Sequence, residues 1–256
     1  MPAGDEEAFG GGLAFGSDTV FLSTGYGRVY ALEEKTGKLK WMKKLQGPMR
    51  APPAVAGGRV FVVTIDNHLV ALNAASGERL WTHAGLAEIA GLLGGAAPAV
   101  EGNTVIVPYS SGEIFAIRAE NGRVAWSDAL SPARRIDALA TLAHVRGSPV
   151  INRGLVHAIS HSGRLVAIDQ RSGARIWERS IGGVETPWVA GDFIYLLSNQ
   201  AELYCLTRRG GRIRWVRPLP KFEDPQDKEG PIKWSGPVLV SDRLVVTGSH
   251  GEALSI

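Results

Sequence analysis

The 256-residue sequence holds one cysteine, Cys205. No internal disulfide or multi-thiolate metal site can therefore be built from it. No apolar run approaches the ~20 residues of a membrane-spanning helix. The opening segment, Met1-Pro2-Ala3-Gly4-Asp5-Glu6-Glu7, is acidic and polar where a secretory leader would be basic and then apolar. Charge of one sign is also scarce: 28 Lys and Arg stand against 25 Asp and Glu. No dense basic stripe carries interleaved aromatics, so nucleic acid is not an expected partner.

Catalytic constellations are missing as well. No G-x-S-x-G elbow occurs. The six histidines, His68, His83, His144, His157, His161 and His250, form no zinc-type H-x₃-H pair with a neighbouring acid. Gly10-Gly11-Gly12 does not follow a strand and open a helix, so it is no phosphate loop. The sequence therefore predicts no enzyme, no cofactor and no metal. Apolar periodicity of the helical kind is absent over any three turns, which leaves strands as the building material.

What is present in quantity is glycine, 32 residues, and one recurring phrase. Ala71-Leu72-Asn73-Ala74-Ala75-Ser76-Gly77-Glu78-Arg79-Leu80-Trp81 reads as a strand end, a tight turn and the start of another strand. Asn73 can bond its own backbone to open the turn, and Gly77 can take the positive φ that closes it. Similar phrases lead from Ala31 through Gly37 to Trp41, from Ala116 through Gly122 to Trp126, from Ala167 through Gly173 to Trp177, and from Cys205 through Gly211 to Trp215. In each, glycine precedes tryptophan by four residues and a small residue precedes it by ten. Cys205 thus fills a slot that otherwise holds alanine, as a small buried residue. The tryptophans follow one another at 40, 45, 51 and 38 residues, a period that signals a repeat array.

Each repeat divides into four short β-rich runs separated by Gly, Asn and Asp, which describes one blade of an all-β propeller. The spacing places blades near 9–46, 47–90, 91–140, 141–182 and 183–225, with a partial sixth at 232–256, in a single propeller domain over 1–256. The final residues align with Gly112–Ile117, before the turn and tryptophan of a repeat, so the chain is expected to be a fragment lacking blades at one or both ends. From each tryptophan to the next blade's opening proline takes 12 and 10 residues after Trp41 and Trp177, but 17, 23 and 22 after Trp81, Trp126 and Trp215. Connectors of this kind emerge on one face, and insertions gathered on one face of a repeat protein mark its binding side. The first two insertions expose Leu and Ile; the third, Pro218 to Pro231, is expected to be a mobile polar loop.

The phrase A-x-[DN]-x-x-[ST]-G-x-x-x-W resembles the tryptophan-docking repeat of the quinoprotein-type β-propellers. That likeness implies a ring of eight four-stranded blades, about six of them in this chain, with each tryptophan packed between neighbours. Trp41, Trp81, Trp126, Trp177 and Trp215, with Gly37, Gly77, Gly122, Gly173 and Gly211, are the implied docking residues. Glu33, Arg118 and Thr207 depart from the pattern at its third position, so those turns need another source of stability. Within this family the quinone-dependent dehydrogenases carry an adjacent-cysteine disulfide and calcium, which a single cysteine and no evident calcium cage do not match. The runs Gly154–Asp169 and Gly191–Tyr195 are instead similar to the BamB family of outer-membrane assembly factors.

That resemblance implies a non-catalytic lipoprotein scaffold on the periplasmic face of the outer membrane, anchored through an N-terminal cysteine absent here. Its implied partner is the periplasmic POTRA region of a BamA-like barrel insertase, with nascent outer-membrane proteins as further candidates. The contact positions would be Leu92, Leu93, Ile136, Asp137, His144 and Arg146. The family's Leu-x-Leu-Arg reads Ala90-Gly91-Leu92-Leu93 here, and its acidic pair is replaced by His144 and Arg146. The alternatives are a quinone-dependent dehydrogenase and another ligand-binding propeller.

Overall fold

The computed structural model describes residues 10–86, 94–130 and 145–256. Among them no helix forms, and the strands gather into five four-stranded sheets, one three-stranded sheet and a two-stranded hairpin. Each sheet is an antiparallel meander. Blade one comprises Gly11–Gly16, Thr19–Thr24, Arg28–Glu33 and Leu39–Lys44. Blade two comprises Ala54–Ala56, Arg59–Val63, His68–Asn73 and Arg79–Ala84. Blade three is Ala99–Glu101, Thr104–Pro108, Glu113–Arg118 and Val124–Ala129. Blade four is Val150–Asn152, Leu155–Ile159, Leu165–Asp169 and Arg175–Arg179. Blade five is Trp188–Ala190, Phe193–Leu197, Glu202–Thr207 and Ile213–Pro218. The sixth has three strands, Trp234–Val240, Arg243–Gly248 and Ala253–Ser255. First strands of successive blades touch one another, so they lie innermost and the fourth strands form the rim. The architecture is a β-propeller.

The middle strands are buried on both faces, which is why they read as continuous apolar runs rather than alternating ones. In blade two, Val60, Val62, Val70 and Leu72 pack toward blade one, while Phe61, Leu69 and Ala71 pack toward blade three. Five such clusters fill the five inter-blade spaces, so the core is a series of seams rather than one centre.

The repeated phrase stitches those seams. Its small residue sits directly across the ladder from its tryptophan in all five blades: Ala31, Ala71, Ala116, Ala167 and Cys205. A larger side chain there would compete with the indole on the same sheet face. Immediately after each of these residues the register shifts by a bulge, and the turn closes when the glycine N–H donates to a carbonyl four residues back, as Gly77 does to Asn73 at 2.8 Å. The indole then lies on the glycine of the following blade. A Cβ on Gly77, Gly122, Gly173 or Gly211 would fall 2.6–2.9 Å from the ring of Trp41, Trp81, Trp126 or Trp177 respectively. The same four indoles donate to Ala74, Ala119, Gln170 and Arg208 carbonyls at 2.8–3.0 Å, each three residues before that glycine. These glycines also hold φ between +59° and +75°, which L side chains resist.

Two departures from expectation are physical in origin. Trp215 is 38% exposed, because the three-stranded sixth blade offers it no glycine turn. Gly37, at the other end of the series, has nothing over it. The third connector is not a structureless loop: Phe222–Asp224 pairs with Glu229–Pro231, and Asp224 Oδ1 accepts from Gln226 and Asp227 N–H to shape the tip. The departing turns find their own support, with Thr36 Oγ1 donating to Glu33 and Arg212 N–H to Thr207 Oγ1 at 3.1 Å. At the rim, Arg175 of blade four grips Asp128 of blade three through Nε–Oδ2 and Nη2–Oδ1 contacts of 2.6 Å.

Candidate partner-binding face

Alternating strand direction puts the connector between blades at the same end as the turn between second and third strands. That turn holds the connector's foot. Leu45 donates to Gly27 O, Gly85 to Asn67 O, Leu130 to Gly112 O and Leu219 to Ala201 O, all at 2.7–2.8 Å. Each acceptor residue has positive φ, where glycine, or asparagine at lower frequency, is the natural occupant. One face of the propeller therefore presents four of its five connectors from the same bonded base, and the connector after blade four is held instead by Gly183 N–H donating to Ser160 O at 3.1 Å.

The first long connector is clamped at its start. Leu86 O accepts from Asn67 Nδ2 at 2.6 Å, and Leu86 N–H donates to Glu113 Oε2 at 2.9 Å. Asn67 is buried, and its Oδ1 also receives Ser110 N–H and Oγ–H at 3.0 Å, so one amide joins blades two and three. With its backbone clamped on both sides, the Leu86 side chain stands 64% exposed. Beneath it, Tyr109 OH meets His83 Nδ1 at 2.8 Å, and both rings contact Phe115. Burial pushes the Tyr109 phenol up and the His83 imidazole down, so both stay neutral near pH 7. Gly85 is required there, because a Cβ would fall 2.3 Å from the Tyr109 ring.

Of the sequence-derived contact residues, Leu92, Leu93, Ile136, Asp137 and His144 lie outside the described residues. Arg146 is exposed, and its guanidinium packs on Gly94: a Cβ there would be 2.7 Å from Arg146 Nε. The feet of the first and second long connectors thus meet. Side-chain hydroxyls extend the stitching, with Ala97 N–H donating to Ser148 Oγ and Ser148 N–H to Thr186 Oγ1, each at 3.0 Å. Arg50, from the short connector before blade two, backs onto Gly95 from the other side. Among the described residues no group of three or more His, Cys, Asp and Glu is placed to hold a metal ion.

Sequence reading did not single out Asn67, Glu113 or Leu86. The signal for Asn67 was its place in the repeat, matching Gly27, Gly112 and Ala201. Glu113 carries no such mark, because its role depends on a neighbouring blade.

A family model described as the outer membrane protein assembly factor BamB matches residues 3–217. The BamB of Salmonella typhimurium is 32% identical over 241 residues, covering 94% of this chain and 59% of that protein. The chain therefore spans about three fifths of that relative's length. The crystal structure of BamB from Moraxella catarrhalis superposes with a TM-score of 0.82 at 20% identity, over 97% of this chain and 75% of that one. A europium-containing methanol dehydrogenase superposes with a TM-score of 0.71 at 16% identity, over 90% of this chain and 55% of that one, a likeness of fold alone.

Proposed function

The chain belongs to the BamB family of outer membrane protein assembly factors, and from that premise we propose that it is a non-catalytic scaffold docking a barrel insertase through its connector face. The observations that carry this reading are the meeting of the two long connectors at Gly94 and Arg146, and the clamped backbone that holds Leu86 exposed at the start of the first. An apolar side chain held out from an immobile backbone loses little conformational freedom on binding, which favours protein contact. We assign partner contact to Leu92, Leu93, Ile136, Asp137 and His144 from the sequence of the two long connectors, and Arg146 adds an exposed positive charge where Gly94 meets it. The partner is the POTRA region of a BamA-like insertase, nascent outer-membrane proteins are secondary clients, and the site of action is the periplasmic face of the outer membrane, reached through a lipid anchor.

The test is direct binding of purified POTRA domains to this chain by biolayer interferometry. Saturable binding that falls when the connector residues are changed supports the reading; absence of binding at tens of micromolar sinks it. The quinone-dependent dehydrogenase alternative is checked in parallel, by titrating pyrroloquinoline quinone with calcium. Stoichiometric binding there would replace the scaffold reading.

A further inference from the structure

The seam between blades four and five breaks the pattern of the others. The second-strand residue packed against the docking tryptophan is Phe21 in blade one, Phe61 in blade two and Tyr195 in blade five, but His157 in blade four. Across that seam, the residue whose carbonyl receives the indole N–H is Ala74, Ala119 or Gln170 elsewhere and Arg208 here. Both substitutions are buried: His157 is 0% and Arg208 1% exposed.

Their polar atoms are not satisfied. Neither ring nitrogen of His157 has a hydrogen-bond partner, nor does Arg208 Nη2, nor does Asn152 Oδ1. Asn152 follows Val150 by two residues, and Val150 pairs with His157, so Asn152 and His157 share the sheet face that looks at blade five. Arg208 reaches the same level, since its Nε–H donates to Gly191 O at 3.1 Å in blade five's first turn. Leaving several buried polar atoms of three side chains without partners is costly, and native interiors supply a partner instead.

Charge identifies the partner. Arg208 Nη2 lies 3.7 Å from Asp192 Oδ1, and Arg153 Nη1 lies 3.8 Å from the same oxygen. One exposed carboxylate shared by two guanidiniums leaves one positive charge uncompensated. Arg208 offers an N–H, neutral His157 offers one N–H, and the Asn152 amide offers two when its O and N are interchanged.

We propose that blades four and five enclose a site for a small inorganic anion of the halide type, held by Arg208, His157 and Asn152. The anion supplies the acceptor that the Phe-containing seams do not need, and its release would loosen one seam of the propeller.

Crystals of the chain grown in sodium bromide and measured at the bromine absorption edge test this. The proposal predicts an anomalous peak within contact of Arg208 Nη2 and a His157 ring nitrogen. It also predicts that replacing gluconate with chloride at constant ionic strength raises the thermal midpoint by about 2–4 °C, and that the rise disappears in His157→Phe, which copies blade two. If the variant fails to fold, the bromide peak alone decides. Water density without an anomalous peak, or a midpoint indifferent to chloride, would overturn the proposal.

Discussion

The indole of Trp81 lies on Gly122 of the following blade so closely that a Cβ on the glycine would stand 2.9 Å from the ring, while the indole N–H reaches Ala119 O at 3.0 Å. Two things therefore hold Gly122 to glycine, its φ of +74° and the ring above it. Gly122→Ala should cost about 2–5 kcal/mol, combining left-handed strain with overpacking. Gly154 has a similar φ of +77° with nothing over it, so Gly154→Ala should cost only the strain, about 1–2 kcal/mol. Urea unfolding of the two variants separates the terms; equal losses would mean the ring contact contributes nothing.

The same seam geometry ranks the tryptophans. Trp177 is buried and bonded to Arg208 O, so Trp177→Ala should cost about 3–5 kcal/mol. Trp215 is exposed and lacks a glycine turn, so Trp215→Ala should cost about 1–2 kcal/mol. Chemical denaturation at unchanged slope is the readout. A loss below about 1 kcal/mol at Trp177 would show that the indole does not hold the blades together.

The fold was legible because one constraint repeats. A tryptophan facing a small residue across a bulged ladder, over a glycine of the next blade, fixes three positions at once, and Ala71, Gly77 and Trp81 advertise all three in eleven consecutive residues. The candidate face was legible only as connector length. Asn67, Glu113 and Leu86 act through contacts between separate blades, and Glu113 lies 27 residues from the amide it receives. Nothing local to the sequence encodes such a distance. The hairpin at Phe222–Pro231 was missed for another reason: its strands are three residues each, and its stability comes from Asp224 bonding the tip.

Burial and the neighbouring Arg208 lower the folded His157 pKa to about 4, from 6.5. An unfolded chain takes up this proton below pH 6.5, whereas the folded chain resists until about pH 4. The stability tied to neutral His157 is thus whole above pH 6.5 and is lost as pH falls toward 4, by up to about 3 kcal/mol. Asp192 and Arg153 also face Arg208, but both are exposed and mute the effect little. In gluconate buffer, His157→Phe should flatten the unfolding free energy between pH 6.5 and 4. A bound chloride would favour the imidazolium and reduce the slope in the parent chain. An unchanged slope in the variant would place the pH dependence elsewhere.

The repeated phrase holds the blades, and in the proposed function the long connectors engage the partner. Leu92→Asp separates the two roles, with POTRA affinity and thermal midpoint measured on the same preparation. The predicted result is a loss of affinity of about tenfold or more, with the midpoint within about 2 °C of the parent. Parallel loss of affinity and midpoint would contradict it, because Leu92 would then be holding the blades rather than meeting a partner.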